Sequence, residues 1–206
     1  MPARGTATNR QLASNRQLAV GRLTASSRQN VDGSGGAAAD DMTFLQSLDL
    51  ASATTFSAIS GAYRHLEIYY VARSDNVAAQ GLLMQFNGDT AGNYDYEITQ
   101  FQDASNNFIG AGVAQTSMQI GRLNPSGAPA GSMATGRIWL PYYSTTTQDK
   151  GAIGMVHCSD AASSTFILLQ AGGTWRTANA AITSITLIGG SGGFAANSSA
   201  SLYGIT

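Results

Sequence analysis

A chain of 206 residues fits one all-β domain with an appendage and is cramped for two domains. It is 43% hydrophobic but only 11% charged, against about 25% charged in an average soluble domain, so hydroxyls, amides and glycines must keep its surface wet. Such a surface favours permanent contact with neighbours, because desolvating hydroxyls and amides costs less than desolvating ions, and two histidines with one cysteine leave little for catalysis.

The first segment differs from everything after it. Arg4, Arg10, Arg16, Arg22 and Arg28 recur every six residues, and no acidic residue precedes Asp32, so residues 1–31 carry +5. The rest holds six basic and twelve acidic residues and carries −6. A helix turns about 100° per residue and would scatter these arginines around its axis. An extended chain puts them on one side about 20 Å apart, with Leu12 and Leu18 as anchors between them. The rival is a helix over roughly residues 9–29, in which Leu12, Ala19 and Leu23 share a side, weakened by Gly21 and the serine pair; a disordered tail is the third reading. Alone in water the arm buries too little to order itself. One charge per about 20 Å suits protein better than nucleic acid, whose charges come every ~1.7 Å.

Residues 32–39, Asp-Gly-Ser-Gly-Gly-Ala-Ala-Ala, form a flexible joint, and a β-domain spans 40–206. Strands are predicted at 43–50, 63–73, 81–87, 94–101, 107–113, 115–121, 134–143, 151–158, 164–171, 182–189 and 199–205. The clearest alternation is in 63–73, where Leu66, Ile68, Tyr70 and Ala72 share one face. Asn87-Gly88-Asp89, Asn106-Asn107, Pro125-Ser126-Gly127, Gly172-Gly173 and Gly189–Gly193 mark turns. No long helical stripe appears, so the expected fold is a jelly-roll-like antiparallel β-sandwich with an extended N-terminal arm. No run approaches the ~18 apolar residues of a membrane span and the start lacks an apolar signal core, which predicts a soluble protein made in a cytoplasm.

Weighed as chemistry, the candidates favour structure. His157 and Cys158 are neighbours on a predicted strand and therefore point to opposite faces, which rules out a dyad between them. His65 opens a strand, and two histidines with one cysteine make a poor zinc site. Asp89, Asp95, Glu97 and Asp103 form the best carboxylate group, but Asn87-Gly88 with Asp89 and Thr90 reads first as a hairpin connection and only second as a metal loop or carboxylate pair. Gly189–Gly193 lacks the Lys-Ser/Thr of a phosphate loop. Lys150, the single lysine, is the sharpest oddity, since lysine is a common surface residue that interfaces avoid. No enzyme, cofactor or metal is expected.

Tyr63-Arg64-His65-Leu66-Glu67-Ile68, then Arg73-Ser74, Phe86-Asn87-Gly88-Asp89-Thr90 and Asn93-Tyr94, resemble a recurrent pattern in structural proteins of tailed bacteriophages. The far end agrees, with Ile182-Thr183-Ser184-Ile185-Thr186-Leu187, the glycine turn, Phe194, Ser198 and Leu202-Tyr203-Gly204-Ile205. The resemblance covers about residues 63–206 and implies a virion protein with a β-sandwich that trimerises; it supplies no catalytic residues and no pattern for the arm. The expectation is a capsid decoration, or cement, protein assembled in the host cytoplasm. Its arm, through Arg4, Arg10, Leu12, Arg16, Leu18, Arg22, Leu23 and Arg28, would staple neighbouring subunits of the major capsid protein. The alternatives are a tail fibre or receptor-binding component that offers Tyr94, Tyr96, Tyr142 and Tyr143 to a host glycan, and a small-virus coat protein with a nucleic-acid-binding arm.

Overall fold

The computed structural model describes residues 41–102, 107–159, 166–177 and 179–206. These are all-β: β1 (Met42–Asp49), β2 (Ala53–Phe56), β3 (His65–Ala72), β4 (Gln80–Phe86), β5 (Tyr94–Gln102) and β6 (Phe108–Gln115), then β7 (Met118–Leu123), β8 (Ala134–Pro141), β9 (Lys150–Ser159), β10 (Phe166–Trp175), β11 (Ile185–Gly189) and β12 (Ser199–Ile205). The large sheet runs β1-β12-β3-β8-β9-β10-β5-β6 and the small one β2-β11-β4-β7, with every strand pairing antiparallel.

Each of the eleven expected strands overlaps one of these. β2 was not expected, because Ala-Thr-Thr-Phe is too short to show a period; it forms by pairing with β11 through Phe56↔Ile185 and Thr55↔Thr186. Gly172 and Gly173, expected as a turn, lie inside β10. The reason is space: a Cβ on Gly173 would stand 2.6 Å from the Asp95 carbonyl oxygen and 2.8 Å from Met118 Sδ.

One core lies between the sheets. Leu66, Ile68, Tyr70 and Ala72 of β3 are buried as their alternation requires, and they join Leu82, Met84 and Phe86 of β4, Ile120 of β7 and Ile185 and Leu187 of β11. β7 of the small sheet approaches β9 so closely that a Cβ on Gly154 would run into the Ile120 carbonyl. Only glycine permits that approach.

The turn after β4 shows how side chains steer the chain. Asn87 (φ 52°) and Gly88 (φ 68°) are both left-handed, and the Asp89 amide donates to the Phe86 carbonyl at 2.9 Å, the geometry of a type I′ turn. The expected hairpin does not follow, because β4 and β5 belong to different sheets. Asp89 redirects the chain: its carboxylate accepts from the Ala91 amide, Asn93 Nδ2 and Trp175 Nε1, the last at 2.7 Å. Asn87 ties the same corner to the β10–β11 connection by accepting from the amides of Thr183 and Ser184 and donating to the Ala181 carbonyl.

Candidate interaction surface

The large sheet has a second face, turned away from the core. Cross-strand register puts Tyr203, Glu67, Trp139, Ile153, Gly172, Glu97 and Ala111 in one row across it. The next row holds Tyr69, Arg137, Met155, Gln170 and Thr99, and the third Val71, Thr135, His157, Leu168 and Phe101. Ile153, Met155, Phe166, Leu168 and Phe101 are all exposed, so the middle of this face is apolar and open. His157 lies against Phe166 with ring centres 4.8 Å apart. Arg137 pairs with the buried Glu67, and burial together with the Glu67 carboxylate raises the Tyr69 hydroxyl's pKa.

These residues escaped the sequence reading, although a signal was present. Ala-Ile-Gly-Met-Val-His-Cys in β9 and Phe-Ile-Leu-Leu in β10 are apolar on both parities. A strand with one wet face alternates, whereas an unbroken apolar run belongs where both faces are covered.

A groove of about 640 Å³ crosses the same face, lined by Asp95, Glu97, Gln170, Thr174, Ile153 and Val113. Gly151 and Gly172 form part of its floor, since neither projects a side chain. Asp95 receives Arg176 Nε at 3.0 Å and the Ala114 amide at 2.8 Å. Asp95 and Glu97 therefore do share a strand face, but Asp95 is engaged and Asp89 is turned to the β4 corner. Asp103 lies outside the described residues.

The four tyrosines expected as loop contacts part company. Tyr94 and Tyr143 are wholly buried, which removes them from any ligand-binding surface in this conformation. The Tyr94 hydroxyl accepts from the Phe86 amide at 2.9 Å and donates to the Asp89 carbonyl at 3.1 Å, and its ring packs with Phe86 and Trp175. Burial pushes its pKa up to about 12. Tyr143 donates to the Ser60 carbonyl. Tyr96 is half-buried on β5, where its ring covers Gly112. Tyr142 is exposed, its φ of 48° ends β8, and it stands against His65 at 4.8 Å beneath the Arg64 guanidinium.

The remaining candidates divide between surface and interior. His157 is exposed and Cys158 wholly buried, on opposite faces of β9 as expected. Lys150 is buried, contrary to a lysine's usual place; its ammonium donates to the Gln148 carbonyl, and burial lowers its pKa against the opposing pull of Asp149. Arg73 donates to the carbonyls of Ser126, Ala128 and Pro129, and Ser198 accepts from the Arg73 amide, so these two residues serve as joints. Among the described residues no three of His, Cys, Asp and Glu stand close enough to hold a metal. Arg4, Arg10, Leu12, Arg16, Leu18, Arg22, Leu23 and Arg28 lie outside the described residues.

No protein-family model, curated protein or solved structure matches the chain.

Proposed function

We propose that this chain is a non-enzymatic virion structural protein: a capsid decoration protein that stands on the shell as a homotrimer while its arm bridges capsid subunits. The observation that carries this reading is the open apolar face around Ile153, Met155, Phe166 and Leu168, on a chain with little charge to keep such a face in water. Exposed apolar patches of this kind mark surfaces that a partner covers. The bacteriophage-like residue pattern supplies the particle, and the arginine period supplies the staple.

The finer fold in this reading is a jelly roll. A jelly roll winds an antiparallel ribbon so that successive strand pairs fall alternately in two sheets. Here β2–β11 and β4–β7 pair in the small sheet, and β3–β8 and β5–β6 in the large. β9 and β10 continue the meander from β8 to β5, while β12 and β1 extend the sheet beyond β3.

Multivalency lets weak contacts add up once the domain has docked; each exposed arginine pair contributes about 0.2–1 kcal/mol. The test is to delete residues 1–31, which leaves the core cluster intact, and to measure binding to expanded heads. Binding should be lost while the domain stays folded; undiminished binding sinks the reading. Labelling on intact particles should count hundreds of copies. A handful at a tail tip would instead favour a receptor-binding component, for which the groove beside Asp95, Glu97 and Gln170 is the glycan-sized feature. A glycan-array signal from the full chain, lost in Gln170→Ala, is the expected result of that second reading.

A further inference from the structure

β6 ends the large sheet and, among the described residues, pairs only with β5. On its far side no strand of the described residues pairs with its backbone amides and carbonyls. Proteins guard such edges with lysine, proline, bulges or a cover, because a bare edge templates pairing with another chain. β6 has none of the side-chain guards: no charged residue and no proline occurs from 104 to 121, Ile109 is 76% exposed and Val113 71%. β6 bulges only at its far end, where Val113 and Ala114 stand opposite Asp95 and Ala114 has φ 52°; the opposite edge, β1, carries a bulge between Phe44 and Gln46 and also a charge, Asp49.

The part of β6 nearest its start is regular. Gln100↔Phe108, Thr99↔Ile109, Ile98↔Gly110, Glu97↔Ala111 and Tyr96↔Gly112 run without a shift. The Phe108 and Tyr96 rings lie over Gly110 and Gly112 and brace the strand from the core side. Its outward side presents Ile109, Ala111 and Val113, with Glu97 directly across from Ala111. The ion pairs of the described residues, Arg137–Glu67 and Arg176–Asp95, leave Glu97 out.

We infer that β6 takes a ninth strand, and that its occupant is an Arg-Gln-Leu segment from the first 31 residues of a second copy of this chain. Charge is the first argument, since that segment carries +5 and the rest of the chain −6. Fit is the second. An added strand lies about 4.8 Å from β6 and roughly 10 Å from β5. An arginine beside Ala111 therefore reaches across a single methyl group to Glu97. In Arg10-Gln11-Leu12 and Arg16-Gln17-Leu18 the leucine comes two residues later, on the arginine's side of an extended chain. It then meets Ile109 if the strands run antiparallel and Val113 if they run parallel, and both are apolar. Reach is the third: some twenty residues separate Val20 from β1, enough for about 65 Å of extended chain. Each copy then both gives and receives a strand, which closes the edge on every copy. This goes beyond the decoration reading and does not depend on a capsid.

The test is sedimentation of the full chain across a concentration series, with amide exchange read at residues 109–113. Mass should rise with concentration, and exchange at β6 should slow in step with it. Glu97→Arg, an exposed change that leaves the melting temperature unaltered, should weaken association about tenfold. Adding Arg10→Glu and Arg16→Glu to that variant should restore it. A monomer at every concentration, an indifferent Glu97→Arg or a failed rescue overturns the inference. So does β6 protection that is independent of concentration, which means the chain's own arm closes the edge, or association indifferent to the arginine reversals, which means two β6 edges pair with each other.

Discussion

The β4–β5 corner and the β6 edge lie within thirty residues of each other, each sets glycine beside aromatic rings, and they solve opposite problems. At the corner, Asn87, Asp89, Tyr94 and Trp175 satisfy one another's polar groups and bury their rings against Phe86. At the edge, two glycines let rings brace one side, while Ile109, Val113 and a row of backbone groups face outward. A corner closed on itself holds the fold together and needs nothing else. An edge left open contributes little to the domain that carries it and gains its worth when something pairs with it.

The contrast can be broken from the closed side first. Trp175→Ala removes the ring packed on Phe86 and Tyr94 and the donor to Asp89, so urea unfolding should show a loss of about 3–5 kcal/mol. Tyr94→Phe keeps the ring but strands the buried Phe86 amide, at a cost of about 1–3 kcal/mol. Asp89 sharpens the comparison through pH. Burial raises its pKa, but the bonds from Asn93, Trp175 and the Ala91 amide outweigh that and hold it below the ordinary value of 3.8. A folded pKa below the unfolded one means that its stabilisation is present above the unfolded value and is lost as pH falls through the folded one. Acid unfolding of Asp89→Asn should therefore lack that step, and an unchanged acid limb would remove Asp89 from the corner's support. The smallest effect is expected at the edge: Ile109→Lys should shift unfolding by less than about 0.5 kcal/mol. A loss as large as that of Trp175→Ala would show that β6 is not open after all.

How far the sequence reached depended on whether the deciding contact was local. Alternation in residues 65–72 sorted Leu66, Ile68, Tyr70 and Ala72 correctly, because a strand's period of two is a property of its own backbone. Adjacency on a strand likewise separated His157 from Cys158. The Gly172-Gly173 pair misled, because its local preference for a turn gave way to the carbonyl of Asp95 and the sulfur of Met118, residues distant in the chain. Tyr94 and Tyr143 looked like loop aromatics next to turn residues, yet cores draw in large rings wherever a hydroxyl can find a backbone partner.

What the sequence alone determined is the kind of chain this is: all-β strands, their approximate places, and a sharp division of charge between residues 1–31 and the rest. These follow from side-chain alternation, turn residues and counting, which need no partner in space. Only the tertiary structure decided which strands became neighbours, that β4 and β5 fall in different sheets, that Lys150 is buried, and that Ile153, Met155 and Leu168 look outward. The physical reason is that an apolar residue on a strand is driven out of water without being told which surface will cover it. Packing of the two sheets chose one face of β9 and β10 for the core and left the other, together with the edge of β6, facing outward.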